Sequence, residues 1–306
     1  MIRFMLRRLA LGVFVIWAVA SITFFAVHTS GDPITTGLQE SGATPDQIVA
    51  IKEDLGFNRP LLVQYGSFLS DTVQGDFGNS FVYGSSAEKI VMDRLPNTLR
   101  LAGLAFVLSL ALAIPLGLAG AYFEGRIVDR LVGTFTVFGQ SVPSFVIGPL
   151  LILLFAVTWK MLPAAGADGW KALILPAATL SLYPASRVTR MMRTSSLRVM
   201  QLDYVNTARS KGVSEFAVAR HHVARNSMIS VLTLLGLEAS GLIGGAVVTE
   251  NIFGWPGIGT LARESFARSD YPIAQLIVIM VATIVVIVSL LTDLAYSFVD
   301  PRIRVR

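Results

Sequence analysis

The chain has 306 residues, of which 53% are apolar, only 15% are charged and none is cysteine. Because soluble domains carry roughly 25% charged residues, this composition argues against a soluble fold. The lack of cysteine excludes a disulfide scaffold, a thiolate metal site and a cysteine nucleophile. Four blocks of 19 or more residues contain no charged residue, and a helix needs about 20 residues to cross a bilayer. They are residues 9–27, 101–123, 131–159 and 271–292.

The first block predicts an N-terminal transmembrane helix within residues 1–28. Three arginines precede it, and together with the small residues Ala18-Val19-Ala20 they also fit a cleaved secretory signal peptide. The uncharged run is long for a signal core of about 7–15 residues. We therefore expect this helix to remain as a membrane span.

Residues 29–97 are interpreted as an extracytoplasmic loop with short helices. The stretch from Pro45 to Leu55 predicts a helix capped by Thr44, and the stretch from Leu61 to Val73 predicts a second one. The segment 28–97 holds nine acids and four bases, so it is net negative. It is either an ordered cap on the membrane surface or a docking surface for an extracytoplasmic partner.

Residues 98–306 predict a core of five further transmembrane helices. Besides the three apolar blocks, residues 172–186 are uncharged but contain two prolines, and residues 226–249 are apolar except for Glu238. With six spans, both termini lie in the cytoplasm, and 16 of the 25 basic residues are on that side, as the positive-inside rule requires. The net charge of +5 therefore reflects membrane topology rather than nucleic-acid binding.

The fold class is thus an all-α, polytopic membrane helical bundle. Small residues and prolines within the spans predict close helix crossings and bent helices. Glu238 is the one carboxylate well inside a predicted span, where ionisable groups usually face a bundle interior or an aqueous cavity. It is either a contact for the amino group of a transported peptide, or a protonated or paired side chain that binds a neighbouring helix. Asp293, near the end of the last span, is interpreted as an interfacial or packing residue.

The loop at 187–226 contains the most informative pattern. Residues 199–211 predict a short helix, Gly212 suits the left-handed position that ends a helix, and Ser214 can cap the next helix with Glu215 in its first turn. The segment is either a basic loop against anionic lipid or a rigid coupling element that receives force from a cytoplasmic motor.

The sequence of this loop resembles the coupling-loop signature of permeases of bacterial ABC importers, in the branch of dipeptide, oligopeptide, glutathione and nickel permeases. The matching residues are DYVNTARSKG at 203–212 with His222, Arg225-Asn226-Ser227 and Ile229. Nearly the whole chain resembles this branch, through GDP at 31–33, LG at 55–56, Pro60, QY at 64–65, GDFGNS at 75–80, PNTL at 96–99, IPLG at 114–117, SVPSF at 141–145, ILPA at 174–177, FGWPGIG at 253–259 and DYP at 270–272. The chain departs from this branch at three positions. It has Ser230 where the family usually has proline, and Ser210 and Ser227 where the family usually has alanine.

The resemblance implies a type I ABC importer permease fold and an importer of short peptides, with nickel or glutathione as the alternative cargo. Its expected parts are this chain, a second homologous permease subunit, two cytoplasmic ATPase subunits and an extracytoplasmic substrate-binding protein. ATP and Mg²⁺ are expected in the ATPase subunits and no cofactor or metal in this chain, which is not expected to be an enzyme. The expected location is the bacterial cytoplasmic (inner) membrane, in contact with lipid.

The resemblance and the position of Glu238 inside a span together give candidate residues for three sites, although related permeases often have an uncharged amide at the position of Glu238. The first set is expected to couple to the ATPase: Asp203, Tyr204, Thr207, Ala208, Arg209, Lys211 and Gly212. The translocation path is expected at Glu238, Ser141 and Pro143. Docking of the binding protein is expected at Asp76, Phe253, Pro256, Gly257 and Asp270.

Two other classes of protein fit the sequence less well. The chain has no G-x-x-x-x-G-K-[ST] loop, so it needs an external ATPase to use ATP. A secondary transporter, which works without a motor, is expected to show inverted repeats, and the two halves do not match clearly. An intramembrane enzyme has only Glu238 and scattered serines to use. The three histidines have no acidic partners at metal-ligand spacing.

Overall fold

The computed structural model describes residues 2–29, 35, 43–54 and 58–299, and these are almost entirely helical. Apart from one antiparallel bridge between Asn79 and Ser86, the described ranges contain no β-structure, and the predicted all-α class is confirmed. The motifs at 31–33 and 55–56 and the arginines at 302, 304 and 306 lie outside the described residues. The chain divides into one unit of residues 1–98 with 256–287 and a second of residues 99–255 with 288–306.

The first unit contains α1 (Ile2–Thr29), α2 (Pro45–Asp54) and α3 (Leu61–Gln74). It also contains the start of α4 (Ala87–Tyr122), α11 (Ile258–Ala267) and the first part of α12 (Tyr271–Val299). The two predicted helices of the loop are confirmed as α2 and α3. Thr44 caps α2 in a reciprocal capping box, because Gln47 N donates to Thr44 Oγ1 over 3.4 Å and Thr44 N donates to Gln47 Oε1 over 2.9 Å.

Two apolar clusters hold this unit together. Near the end of α1, Phe24 stacks with Tyr65 and Phe68 of α3 at centroid distances of 5.4 and 5.2 Å. Ser21 Oγ lies 2.6 Å from Tyr65 Oη. The start of α4 packs against α11 and α12 through fully buried side chains, which are Ala87, Val91, Ile258, Leu261, Ile273 and Ile277.

The second unit contains the remainder of α4, α5 (Ile127–Ser141), α6 (Ser144–Leu151) with a π-helical continuation (Ile152–Thr158), and a 3₁₀ turn (Trp170–Leu173). It continues with α7 (Ile174–Met200), α8 (Asp203–Ser210) and the short α9 (Glu215–Ala217). A π-helical segment (Val218–Ala224) leads into α10 (Arg225–Phe253), and the end of α12 completes the unit.

Glycines let the helices of the second unit approach closely, as predicted. A Cβ on Gly139 of α5 would lie 1.8 Å from Ser186 Oγ of α7. A Cβ on Gly236 of α10 would lie 1.9 Å from Thr292 Cγ2 of α12. Both distances are far below van der Waals contact, so these crossings depend on the missing side chain. Between α4, α7 and α10, the core consists of Ala113, Val188, Met192, Val231 and Leu235.

The described residues include four helices that are long and apolar enough to cross a membrane, and the number is five if a bent pair of helices counts as one span. The bent pair is α5 with α6 and its continuation, which turn by 108° at Val142 and Pro143. The predicted sixth span falls in α7, whose 27 residues extend about 40 Å at 1.5 Å per residue. Because α7 also carries four arginines, the number six stays a prediction.

The predicted helix at 199–211 is wrong at its first end. Helix α7 continues to Met200, and α8 begins only at Asp203. Leu202 adopts an extended conformation (φ −79°, ψ 143°) between them. Asp203 then occupies the first turn of α8, where its negative charge favours the start of a helix.

Candidate functional site

The segment formed by α8, the turn at Gly212 and α9 (residues 203–217) is called the knob below. Its inner face is apolar, because Val205 and Ala208 of α8 are buried together with Val218 and Val223 of the π-helical segment. Val199 at the end of α7 belongs to the same cluster, which also contacts α4. Burial of these side chains fixes how α8 lies on the helix bundle.

The turn after α8 has the backbone geometry predicted from Gly212. Gly212 has φ +77°, a backbone conformation that is energetically unfavourable for any residue with a Cβ atom. Its N–H donates to Arg209 O over 2.9 Å, and Val213 N–H donates to Ala208 O over 3.3 Å. These two bonds form a Schellman motif, which satisfies the last carbonyls of α8. The predicted cap on the next helix is also confirmed, because Ala217 N donates to Ser214 Oγ over 3.4 Å.

Two polar contacts hold the knob, one within it and one to the helix that follows it. Arg209 donates to both carboxylate oxygens of Glu215 across the turn, over 2.9 and 3.4 Å, and this contact raises the pKa of the Arg209 guanidinium above its ordinary value. Asn226 Nδ2, at the start of α10, donates to Tyr204 Oη over 2.8 Å. The knob is therefore linked both within itself and to the helix that follows it.

The outer face of the knob is exposed and partly apolar. Of the predicted coupling residues, Asp203, Tyr204, Thr207, Lys211 and Gly212 are exposed, Arg209 is half-buried and Ala208 is buried. Phe216 is not among the predicted coupling residues, and 76% of its surface is exposed. A large apolar residue two positions after a helix cap in a basic loop is the signal that could have identified it. Leu202 and Val213 extend this exposed apolar surface.

The serines that depart from the family pattern have different environments. Ser227 is buried in α10, where Ser196 Oγ donates to its hydroxyl over 3.2 Å and Ser195 Oγ donates to its carbonyl over 3.3 Å. Ser230, at the position of the usual proline, is exposed. The helix from Glu215 to Phe253 passes this position without a break, and the change of pitch lies earlier, in the π-helical segment.

Glu238 lies near the middle of α10 and forms an ion pair with Arg187 of α7. Arg187 Nη1 is 2.7 Å from Glu238 Oε1, and the side chains are 33% and 6% exposed. The guanidinium carbon of Arg187 lies 5.7 Å from the centroid of the Tyr183 ring. Of the two interpretations of Glu238, the structure has the paired side chain. It also adds a second buried carboxylate in α10, Glu250.

The other path candidates, Ser141 and Pro143, lie at the bend between α5 and α6, where both are exposed. Within the described residues, no hydrogen bond or ion pair joins either of them to Glu238. A second ion pair that the sequence did not predict links α5 to α7. Arg193 donates to both carboxylate oxygens of Asp129, over 2.6 and 2.9 Å.

The docking candidates of the first unit differ in accessibility. Asp76 is exposed and accepts a bond from Gly78 N over 2.9 Å. Asp270 is only 1% exposed; it accepts from Ser80 Oγ and, over 3.1 Å, from Phe81 N. Pro256 O accepts from Asn97 Nδ2 over 2.9 Å, and Gly257 is buried. In the second unit, Phe253 is buried as well.

A cavity of about 320 Å³ lies beside Asp76 in the first unit. Aromatic side chains, including Phe24, Phe77 and Tyr271, line much of it. Arg59 and Asp71 contribute opposite charges. Cavities of this size and mixed polarity are typical of small-molecule or side-chain binding sites.

Two family models cover nearly the whole chain. Residues 113–305 match the binding-protein-dependent transport system inner membrane component. Residues 1–102 match the N-terminal part of the membrane component of such systems.

Relatives of full length agree with the family models. A probable peptide ABC transporter permease of Sinorhizobium fredii is 37% identical, over 98% of this chain and 99% of the relative. A putative peptide transport system permease of Brucella abortus is 37% identical over 98% of each chain. The glutathione transport system permease GsiC of Salmonella typhimurium is 36% identical over 99% of each.

The fold is similar to that of solved ABC transporters. An inward-facing structure of the MetNI methionine ABC transporter matches with a TM-score of 0.59 at 14% identity, over 69% of this chain and 96% of that chain. A crystal structure of an amino acid ABC transporter matches with a TM-score of 0.51 at 17% identity, over 70% of this chain and 94% of that chain. The chain belongs to the family of inner membrane components of binding-protein-dependent transport systems.

Proposed function

We propose that this chain is one of two permease subunits in an ATP-driven importer of short peptides. Its full-length relatives in Sinorhizobium and Brucella are named as peptide permeases, and this supports the choice of cargo. The second permease is a related chain, and together the two form the translocation path. Both termini lie in the cytoplasm, as the distribution of basic residues favours.

The coupling role is assigned to the knob, and its geometry is the observation that carries this proposal. An apolar inner face and a Schellman cap make the knob rigid, while Asp203, Tyr204, Thr207, Lys211 and Phe216 remain accessible to a partner. A rigid, exposed element can transmit displacement. When the two ATPases close on ATP, the knobs of the two permeases move together and bias the helix bundle toward an outward-open state. ATP hydrolysis lets the knobs separate again.

ATP and Mg²⁺ bind the two cytoplasmic ATPase subunits in this proposal, and this chain performs no hydrolysis. The absence of a phosphate-binding G-x-x-x-x-G-K-[ST] loop from the sequence supports the assignment. In this proposal the knob contributes to the reaction only mechanically, and the exposure of Tyr204, Thr207 and Phe216 supports a role in contacting a protein partner.

Docking of the extracytoplasmic binding protein is assigned to the first unit. Asp76 is exposed there and part of Pro256 is accessible, and the net negative charge of the loop at 28–97 favours a partner with a basic surface. The buried candidates are Asp270 and Gly257 of this unit and Phe253 of the second unit. They act indirectly, because a partner cannot reach buried residues. Asp270 holds the turn at Ser80 and Phe81 in place.

Glutathione is the alternative cargo that a specific observation favours, because the Salmonella relative is named as a glutathione permease. Nickel is the other alternative that the branch allows. The experiment is uptake by the complete complex in proteoliposomes, with its binding protein, a panel of di- and oligopeptides, glutathione and Ni²⁺. We expect ATP-dependent uptake of peptides. Uptake driven by an ion gradient without ATP would contradict the proposal. ATP-dependent uptake of glutathione or Ni²⁺, without uptake of peptides, would show that the proposed cargo is wrong.

A further inference from the structure

The ion pair of Arg187 and Glu238 lies deep within the helix bundle. Glu238 is near the middle of α10 (Arg225–Phe253), which is one of the helices apolar enough to cross a membrane. Since Arg187 Nη1 is 2.7 Å from the carboxylate, Arg187 lies at the same depth. The predicted cytoplasmic loop at 187–226 begins with this arginine.

The two partners differ in exposure, and this difference points to a use beyond helix packing. Glu238 is 6% exposed, but Arg187 is 33% exposed, and the adjacent Tyr183 is exposed too. A charged side chain that is accessible at this depth is costly against lipid, so such groups face a partner helix or a water-filled cavity. The accessible edge of Arg187 is therefore expected to face the path.

The guanidinium has more donors than Glu238 uses. Arginine offers five N–H groups in a planar fork, which can bind a carboxylate through two parallel bonds. Within the described part of the chain, the contacts of the Arg187 guanidinium are the ion pair through Nη1 and the ring of Tyr183. Donors at the exposed edge thus remain available to a ligand.

We propose that Arg187 binds the carboxylate of the substrate during its passage, and that Glu238 is a positioning residue that orients the guanidinium and limits its affinity. The inference rests on the proposed function, because it assumes that a peptide crosses beside α7 and α10. Glu238 already neutralises the charge of Arg187, so a substrate carboxylate is held only weakly. Weak binding suits a path, since a ligand that binds too tightly does not leave.

The test measures binding separately from uptake. Tri-alanine and its C-terminal amide are titrated against the nucleotide-free complex in nanodiscs without the binding protein. We expect the acid to bind about tenfold more tightly than the amide, the effect of a charge-assisted hydrogen bond. Arg187→Gln should abolish this preference, Arg187→Lys should keep part of it, and Glu238→Gln should tighten binding of the acid while leaving the amide unchanged.

Arg198→Gln is the matched control, because it removes an exposed arginine of the same helix and should keep the preference. Co-purification with the ATPase subunits establishes that each variant is assembled. Equal binding of acid and amide by the unmodified complex overturns the site, as does equal weakening of both peptides by Glu238→Gln. If the unmodified complex still takes up peptides in an ATP-driven manner when either outcome is observed, the proposed function stands and only the carboxylate site at Arg187 is wrong.

Discussion

The knob and the turn around Asp270 are both rigid, but they are held in different ways. The turn of the knob depends on neighbours in sequence: the Schellman bonds, the Ser214 cap and the Arg209–Glu215 contact all lie within residues 208–217. Asp270 instead binds Ser80 and Phe81, which are about 190 residues away in the chain. The knob therefore keeps an accessible outer face, whereas Asp270 and Ser80 are buried. Because short-range hydrogen bonds hold the turn of the knob, its outward-facing side chains remain available to a partner protein.

The largest expected effect comes from breaking the local geometry of the knob at Gly212. Proline fixes φ near −65° and has no N–H, so Gly212→Pro cannot adopt φ +77° or donate to Arg209 O. We expect ATP-driven uptake to fall below detection while the chain still inserts into the membrane. Uptake in proteoliposomes and membrane fractionation measure the two effects.

Asparagine is the matched substitution at the same position, because it tolerates the left-handed conformation better than other residues with a Cβ. Gly212→Asn should therefore retain most of the uptake. Normal transport by Gly212→Pro would show that the turn has no part in coupling.

Substitution of Asp270 should lower the stability of the protein. Asp270→Ala leaves the buried Ser80 hydroxyl and the partly buried Phe81 N–H without their acceptor, at a cost of about 1–3 kcal/mol. We expect a lower unfolding temperature of the complex in nanodiscs, with Asp270→Asn intermediate because the amide keeps one acceptor oxygen. An unchanged unfolding temperature would contradict the role of this carboxylate.

A smaller effect on stability is expected from alanine substitutions at two glycines of α10, only one of which lies at a helix crossing. Gly236→Ala places a Cβ 1.9 Å from Thr292 Cγ2, whereas a Cβ on Gly241 of the same helix would meet no neighbouring atom within 4 Å. Overpacking costs about 1–3 kcal/mol, so Gly236→Ala should destabilise the protein. Gly241→Ala should instead stabilise it by about 0.5–1 kcal/mol, since alanine is the better helix former. Equal unfolding temperatures for both variants would argue against the close crossing.

The smallest effect is expected for the contact across the knob. Arg209 and Glu215 have side chains 32% and 60% exposed, and exposed ion pairs contribute about 0–1 kcal/mol. Glu215→Gln should change stability by less than about 1 kcal/mol and leave most of the uptake intact. A double-mutant cycle with Arg209→Gln measures the coupling energy, and a large value would mean that the knob depends on this pair rather than on its backbone caps.

The features that could be predicted from the sequence are those encoded by adjacent residues. Gly212, Ser214 and Thr44 have roles that follow from backbone geometry and short hydrogen bonds, and the structure has all three in place. Prolines indicated bent helices, but the 108° turn at Pro143 depends on how the flanking helices pack. The partner of Glu238 could not be inferred, because a helix pattern does not say which residue of another helix faces it.

Burial of Asp270 escaped prediction for the same reason. Its motif, DYP at 270–272, marks a turn and gives no sign of a partner in the distant motif at 75–80. Phe216 is a different case, because the sequence did contain the signal. An apolar residue beside Ser214 and Glu215 in a basic loop suggests a contact surface.

The most direct test of the central claim is a crosslink between the knob and the ATPase subunit. The chain has no cysteine, so Thr207→Cys introduces a single reactive site on the exposed face of α8, and Ser70→Cys on the exposed side of α3 serves as the matched control. We expect the first variant to crosslink to the ATPase in membranes, with a yield that changes on addition of ATP, and the second to give no such product. An active complex in which the position of Thr207 never crosslinks to the ATPase would contradict the account.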